Sequence, residues 1–381
     1  MRKIFLFFLM ILAAINVQSQ TFSVLLERIK SMPDADKTKQ LDDFFGRKPE
    51  VPIIENNNDV YFIYKGIAAT VSIAGDATGW SPSLMMEKIS GTEYWFCHAR
   101  YEADARLEYK IVVDQTNWKL DPLNNEIAHG GMGDNSELKM PQYKPAEYIY
   151  ERDATPWGTF SDTTIYSKFL KEPRQIRIYL PPQYENSSEH YPVIIFHDGF
   201  EYFDRMAVRD VLDNMTFEKK ICPVIAVFIQ PVHRDPEYSG RLQKKYTQFI
   251  IKELMPFIDK NYRTKRGAAN KATAGISNGG NISLWLAATH PDVFGKAGVQ
   301  SSNVEKNVLT VFGKKNLAGI DLYVDFGKYD LPDLVPRVQN LKQILETRGI
   351  KHKYIEYPEG HNWAAWQKHF PLLLEYLFPA E

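Results

Sequence analysis

Three side chains have the types and the chain order that acyl transfer needs. Ser277 stands in Gly275-Ile276-Ser277-Asn278-Gly279, Asp330 follows the run Leu322-Tyr323-Val324-Asp325-Phe326, and His361 follows Tyr354–Gly360. A serine hydroxyl is a poor nucleophile until an imidazole takes its proton, and the imidazole serves best when a carboxylate orients it. Histidine can also return that proton to a leaving alcohol. Asp325 and Asp333 flank Asp330. Asp325 lies inside the strand-like run and would point to one sheet face, whereas Asp330 follows the strand end, so Asp330 is the acid expected.

The elements that must hold these groups are legible around them. Gly275 and Gly279, two before and two after the serine, suit a tight strand-to-helix turn where backbones crowd. The helix-like run Asn281–Ala288 follows at once. Pro192-Val193-Ile194-Ile195-Phe196 is continuously apolar and ends in His197-Asp198-Gly199-Phe200, as a parallel strand covered on both faces does. Serine, acid and histidine, in that order and each past a strand end, predict an α/β-hydrolase with a doubly wound sheet. In that arrangement the Gly199-Phe200 region and Asn278 supply backbone N–H groups to an oxyanion. Ile165–Lys168 and Gln175–Pro182 alternate like an antiparallel pair feeding the sheet. Leu242–Tyr262 and Val335–Leu345 carry helical apolar stripes, the latter stopping at Gly349.

The first half of the chain has a different texture. Residues 1–20 place Arg2 and Lys3 before the apolar run Ile4–Ile15 and end in Val17-Gln18-Ser19, the pattern of a secretory signal peptide, with an uncleaved anchor as the lesser alternative. Residues 21–50 read as a charged helical leader interrupted at Pro33. From 51 to 145, short alternating runs such as Val60–Tyr64, Ala69–Ile73 and Leu107–Val113 predict a small immunoglobulin-like β-sandwich. Ser136–Tyr150 reads as a linker, and the catalytic region as 151–381. Cys97 and Cys222, the two cysteines of 381 residues, give no disulfide framework; both read as buried small hydrophobes. A net charge of −1 argues against nucleic acid. No H-x-x-x-H spacing suggests a metal and no phosphate-binding glycine loop a nucleotide, so no cofactor is expected.

Several stretches together resemble a known family. His197-Asp198-Gly199, Ala226–Ile229 with Arg234-Asp235-Pro236-Glu237-Tyr238 after it, Glu253–Ile258, Gly275–Gly280 and Gly360-His361-Asn362-Trp363 are similar to the esterase family that includes enterochelin, feruloyl and acetylxylan esterases and the antigen 85 acyltransferases. The likeness covers about Phe169 to Phe378. It implies Ser277 as nucleophile, His361 as base and Asp330 as its orienting acid, with His197, Arg234 and Trp363 toward the substrate. Ala74–Trp80, Met85-Met86, Tyr94-Trp95, Glu108–Lys110 and Asn117–Asn124 resemble the front sandwich of glycogen-branching enzymes and isoamylases, counted as a carbohydrate-binding module. Trp80, Trp95 and Trp118 are then sugar-stacking platforms or packing residues. The expectation is an exported serine carboxylester hydrolase, without stable membrane insertion after signal cleavage, removing feruloyl or acetyl esters from plant-type polysaccharide or oligosaccharide. A ferric catecholate siderophore trilactone is the alternative, drawn by the basic run Arg234, Arg241, Lys244 and Lys245. A non-catalytic carbohydrate-binding protein is the remaining one, against which the intact serine, acid and histidine stand.

Overall fold

A computed structural model describes residues 21–131 and 133–380; the segment read as a signal peptide, 1–20, lies outside them. Thr21 caps the helix Phe22–Ile29, its hydroxyl accepting from the Val24 N–H, and Pro33 starts a second helix, Asp34–Phe45. Phe22, Leu25, Ile29 and Leu41 pack against Val51 and against Ile63 and Tyr94 of the sheet that follows. The leader therefore covers a sheet face that would otherwise be wet.

That sheet holds Ile53–Glu55, Asp59–Lys65, Tyr94–Arg100 and Glu87–Lys88. It faces a second one built on Val71–Gly75, Arg106–Val113, Gly133–Lys139 and Ile127–Gly130. Phe62, Ile73, Trp95, Leu107 and Ile111 fill the space between. Trp95 is thus a core residue, its indole N–H donating to the Gly66 carbonyl at 3.1 Å. The expected linker starts too early. Ser136–Lys139 pair antiparallel with Arg106–Tyr109, and the Ser136 hydroxyl accepts from the Asp121 N–H at 2.8 Å. The polar residues of this strand are satisfied inside the fold, which hid its strand character. Cys97 lies in the sandwich core and Cys222 against a cluster of the second half, so no bridge joins them.

The second half is one eight-stranded sheet: Thr159–Ser167, Glu172–Leu180, Val193–His197, Ile225–Ile229, Lys271–Ile276, Lys296–Gln300, Asp321–Tyr329 and Lys351–Gly360. Numbered along the chain, they lie in the order 1-2-4-3-5-6-7-8, with the first two antiparallel to each other and the remaining six parallel. This is the α/β-hydrolase order, with buried residues on both faces. Trp363–Leu377 and Val208–Phe217 cover one face. The other is covered by Asn278–Thr289 and by the stretch read as a single helix over Leu242–Tyr262. That stretch divides into Gln243–Phe249, a π-helical turn Ile250–Leu254, and Met255–Asn261. Pro256 lacks the N–H that a continuous α-helix would use there.

Two joints bear on the site. The eighth strand meets the sandwich edge to edge, Glu359 pairing with Arg106 in parallel. On the opposite side, Arg174 of the second strand is fully buried and donates from both Nη atoms to the Glu237 carboxylate, at 2.9 and 2.8 Å. This fork anchors the short helix Arg234–Tyr238. Replacing Arg174 by Met leaves Glu237 charged and unpaired in the core, and stability measured by urea unfolding is expected to fall by about 3–5 kcal/mol. A loss below about 1 kcal/mol would show that the fork is no anchor.

Candidate active site

Strand Lys271–Ile276 ends at Ser277, and helix Asn278–Thr289 begins on the next residue. Ser277 has φ 54° and ψ −118°, a backbone conformation that costs a non-glycine residue about 1–3 kcal/mol and persists only when the surroundings enforce it. They do. A Cβ on Gly275 would stand 2.4 Å from the backbone carbon and oxygen of Gly279, and one on Gly279 would stand 3.0 Å from Asp198 Oδ2. The Ser277 N–H donates to the Gln300 carbonyl at 2.9 Å, and its own carbonyl accepts from the Asn303 N–H at 2.9 Å.

His361 lies past the eighth strand with Nε2 3.2 Å from Ser277 Oγ and Nδ1 2.7 Å from Asp330 Oδ1. With the proton on Nδ1 facing the carboxylate, Nε2 is left to accept from the serine. The Asp330 side chain is fully buried, and Oδ1 also accepts from the Leu331 N–H at 2.7 Å. Asp325 is elsewhere: inside the seventh strand, accepting from Gln300 Nε2 and Tyr357 OH, with burial pushing its pKa up to about 6. Asp333 is exposed. The arrangement can pass a proton from serine to imidazole, which is what ester cleavage by a serine requires.

The serine opens into a cleft of about 650 Å³ between the two halves. Trp80 and Trp118 of the sandwich, Trp363 and Trp366 of the last helix, Ile276 and Leu331 form its apolar wall. Its charged side chains are Lys110 and Arg234 against Glu108, Asp198 and Glu201. Arg234 forks onto Asp198, Nε to Oδ1 at 2.8 Å and Nη2 to Oδ2 at 2.7 Å, and Nη2 reaches the Ile276 carbonyl at 3.4 Å. Burial raises the Asp198 pKa and Arg234 opposes it.

Of the substrate-facing residues expected, Arg234 and Trp363 line the cleft and His197 does not. His197 is fully buried beneath the elbow, with Nδ1 on Tyr246 OH at 2.9 Å and Nε2 on Thr273 Oγ1 at 3.0 Å. Burial lowers its pKa to about 3 and so keeps it neutral. Gly199 is also corrected, because its N–H donates to the Ile229 carbonyl at 2.9 Å. A Cβ there would meet Phe228 and Ile229 at 2.5 Å, so this glycine allows a close crossing over the neighbouring strand. The Phe200 ring lies under the Arg177 guanidinium, and its backbone starts the helix Glu201–Met206. Of the basic run, Arg241, Lys244 and Lys245 are exposed outside the cleft lining. Sequence reading missed Asp198 and Trp366. Trp366 stands one turn after Trp363, a spacing that puts both on one helix face, and lies edge-on to His361 with ring centres 4.9 Å apart.

Comparison with known proteins finds similarity to esterases. The family model described as "Putative esterase" matches residues 167–377. Over 227 residues, 55% of this chain and 93% of the relative, the sequence is 29% identical to YjcH of Bacillus subtilis (strain 168). Over 178 residues it is 28% identical to an endo-1,4-beta-xylanase/feruloyl esterase of Xylanibacter ruminicola, covering 44% of this chain and 24% of that relative. The enterobactin esterase FES of Shigella flexneri, solved in the presence of enterobactin, shares the fold with a TM-score of 0.66 at 20% identity, over 85% of this chain and 94% of that one.

The elbow allows a paired test. Gly275→Ala forces a methyl group into the Gly279 backbone and is expected to cost about 1–3 kcal/mol, with most of the esterase activity lost. Gly313→Ala, in the helix Lys306–Lys314 with nothing within 4 Å of the new Cβ, is expected to raise stability by up to about 1 kcal/mol. Thermal melts of the two variants check the contrast; equal melts would remove the crowding argument.

Proposed function

The chain belongs to the esterase family and is a carboxylic ester hydrolase; we propose that it works through Ser277, His361 and Asp330 by way of an acyl-enzyme. Ser277 Oγ attacks the acyl carbon while His361 Nε2 takes its proton. The carbonyl oxygen gains negative charge, for which the N–H groups of Asn278 and Phe200 serve as donors. Both sit at helix starts, where N–H groups have no helical acceptor. His361 then protonates the departing alcohol. Water, deprotonated by the same nitrogen, releases the acid and restores the serine. Asp330 holds the imidazole in the tautomer and orientation that both halves of the cycle need.

The substrate reading rests on one observation: the serine–histidine–aspartate relay opens into a cleft walled by Trp80, Trp118, Trp363 and Trp366. Such a wall suits the flat ring of a hydroxycinnamoyl acid and gives a small acetyl group little to hold. We therefore assign the enzyme to feruloyl-type esters on plant polysaccharide or oligosaccharide, with Trp80 and Trp118 as platforms for the attached sugar. A ferric tris-catecholate is strongly anionic, and Arg234, one of the two cations lining the cleft, is already forked onto Asp198, which favours a neutral ester. The signal-peptide pattern of residues 1–20 supports work outside the cytoplasm.

Ser277→Ala is expected to stay folded and to lose about ten-thousandfold or more in hydrolysis of methyl ferulate. Activity equal to wild type would remove Ser277 from the mechanism. Asp330→Asn is expected to lose on the order of ten-thousandfold, and Asp325→Asn and Asp333→Asn far less, in the same assay. For the substrate, initial rates on methyl ferulate, acetylated xylan and a ferric trilactone siderophore are compared side by side. Fast siderophore cleavage with negligible ferulate release would overturn the polysaccharide reading and leave the serine chemistry standing.

A further inference from the structure

The base and the acid of the relay are held from outside the hydrolase sheet, whereas the serine is not. His361 lies between Gly360 and Asn362, and both of these rest on the sandwich. A Cβ on Gly360 would stand 2.1 Å from Asp76 Cγ, so the chain just before His361 is pressed onto a buried carboxylate. Asn362 is gripped on both arms: its Nδ2 donates to Asp76 Oδ2 at 3.1 Å, and its Oδ1 accepts from Arg106 Nη1 at 2.7 Å. That Oδ1 also accepts from the Ala365 N–H at 3.0 Å, capping the last helix. Arg106 is itself fixed by Glu108 at 2.8 Å and Glu137 at 2.5 Å, and Asp76 by the Glu108 N–H at 2.8 Å and the Trp80 indole at 3.2 Å.

Burial beside Glu108 pushes the Asp76 pKa up to about 8, so keeping a carboxylate there works against stability. On the acid side, Glu102 of the sandwich accepts from Tyr329 OH at 2.7 Å and pairs with Lys328. These residues immediately precede Asp330.

We propose that Asp76 and Arg106 are positioning residues for the hydrolytic reaction: by holding Asn362 from the sandwich side they set the distance between His361 Nε2 and Ser277 Oγ. This rests on the serine-hydrolase reading above. A displacement of about 1 Å at a reacting group can cost on the order of a hundredfold in rate, and the ground-state grip of the cleft on substrate need not change with it. The expected signature is a loss in kcat with KM preserved.

The test uses the full chain with p-nitrophenyl acetate, an ester too small to span the cleft. Asp76→Ala removes from the sandwich the oxygen that accepts from Asn362 Nδ2. Asn362→Ser cuts it from the hydrolase side while keeping a side-chain oxygen to cap Ala365. Each is expected to lower kcat about ten- to hundredfold with KM within about twofold. The double variant is expected to be no more than about threefold below Asn362→Ser, because that substitution already removes the contact with Asp76. A single variant that melts cooperatively and keeps wild-type kcat overturns the proposal, as do losses that multiply in the double variant. If Asp76→Ala does not fold, Asn362→Ser decides alone. If neither folds, the contact is structural only and the proposal fails. Ser277→Ala, run in parallel, separates the two readings: full activity there sinks the serine mechanism itself, while a dead Ser277→Ala beside fully active Asp76→Ala and Asn362→Ser sinks only this inference.

Discussion

Everything at this site depends on one imidazole standing between two partners that arrive on different loops. Asp330 ends the seventh strand, Ser277 sits on a turn after the fifth, and His361 follows the eighth. A hydrogen bond weakens steeply with a few tenths of an ångström or a few tens of degrees of misalignment. Two such bonds on one ring therefore demand that three loops agree in position. The parallel sheet supplies most of that agreement, because neighbouring strands fix the heights at which their loops emerge. The remainder comes from contacts that the loops make beyond the sheet, and for the loop of His361 these include Asp76 and Arg106, 286 and 256 positions before Asn362.

This division explains what could be read from the amino acids and what could not. The elbow was legible because its constraint is local: two glycines must lie two residues from the serine, and Gly275 and Gly279 touch across that gap. Asp330 and His361 were legible because each follows a short apolar run that ends abruptly. His197 misled because it adjoins a cleft-forming loop in sequence, while its partners Tyr246 and Thr273 come from distant elements that no local pattern reveals. Gly199 was placed in the correct turn, yet which of its atoms is engaged depends on Ile229 of the neighbouring strand.

The sandwich shows the same limit from the other direction. Strands at Asp59–Lys65, Val71–Gly75 and Arg106–Val113 followed from alternation, whereas Ser136–Lys139, whose polar side chains are used internally, did not. That Trp80 and Trp118 line the cleft while Trp95 packs inward was beyond sequence reading, since it depends on a turn and on two strand faces whose partners lie far along the chain. The asymmetry in charge across the cleft was hidden for the same reason. Arg234 had been grouped with three lysines and arginines that point to solvent, and its actual companion, Asp198, sits on another loop.

The edge-to-edge joint between the halves has a bearing on solubility. The eighth strand closes the hydrolase sheet on that side, and only its far end, at Glu359, is paired with the sandwich. The earlier part presents unpaired backbone groups, a template on which a strand from another molecule could add. Lys351, Lys353 and Glu356 are exposed along that stretch. Charges at such an edge make recruitment of a further strand unfavourable, so the strand that leads to His361 at one end carries a guard against edge-to-edge pairing at the other.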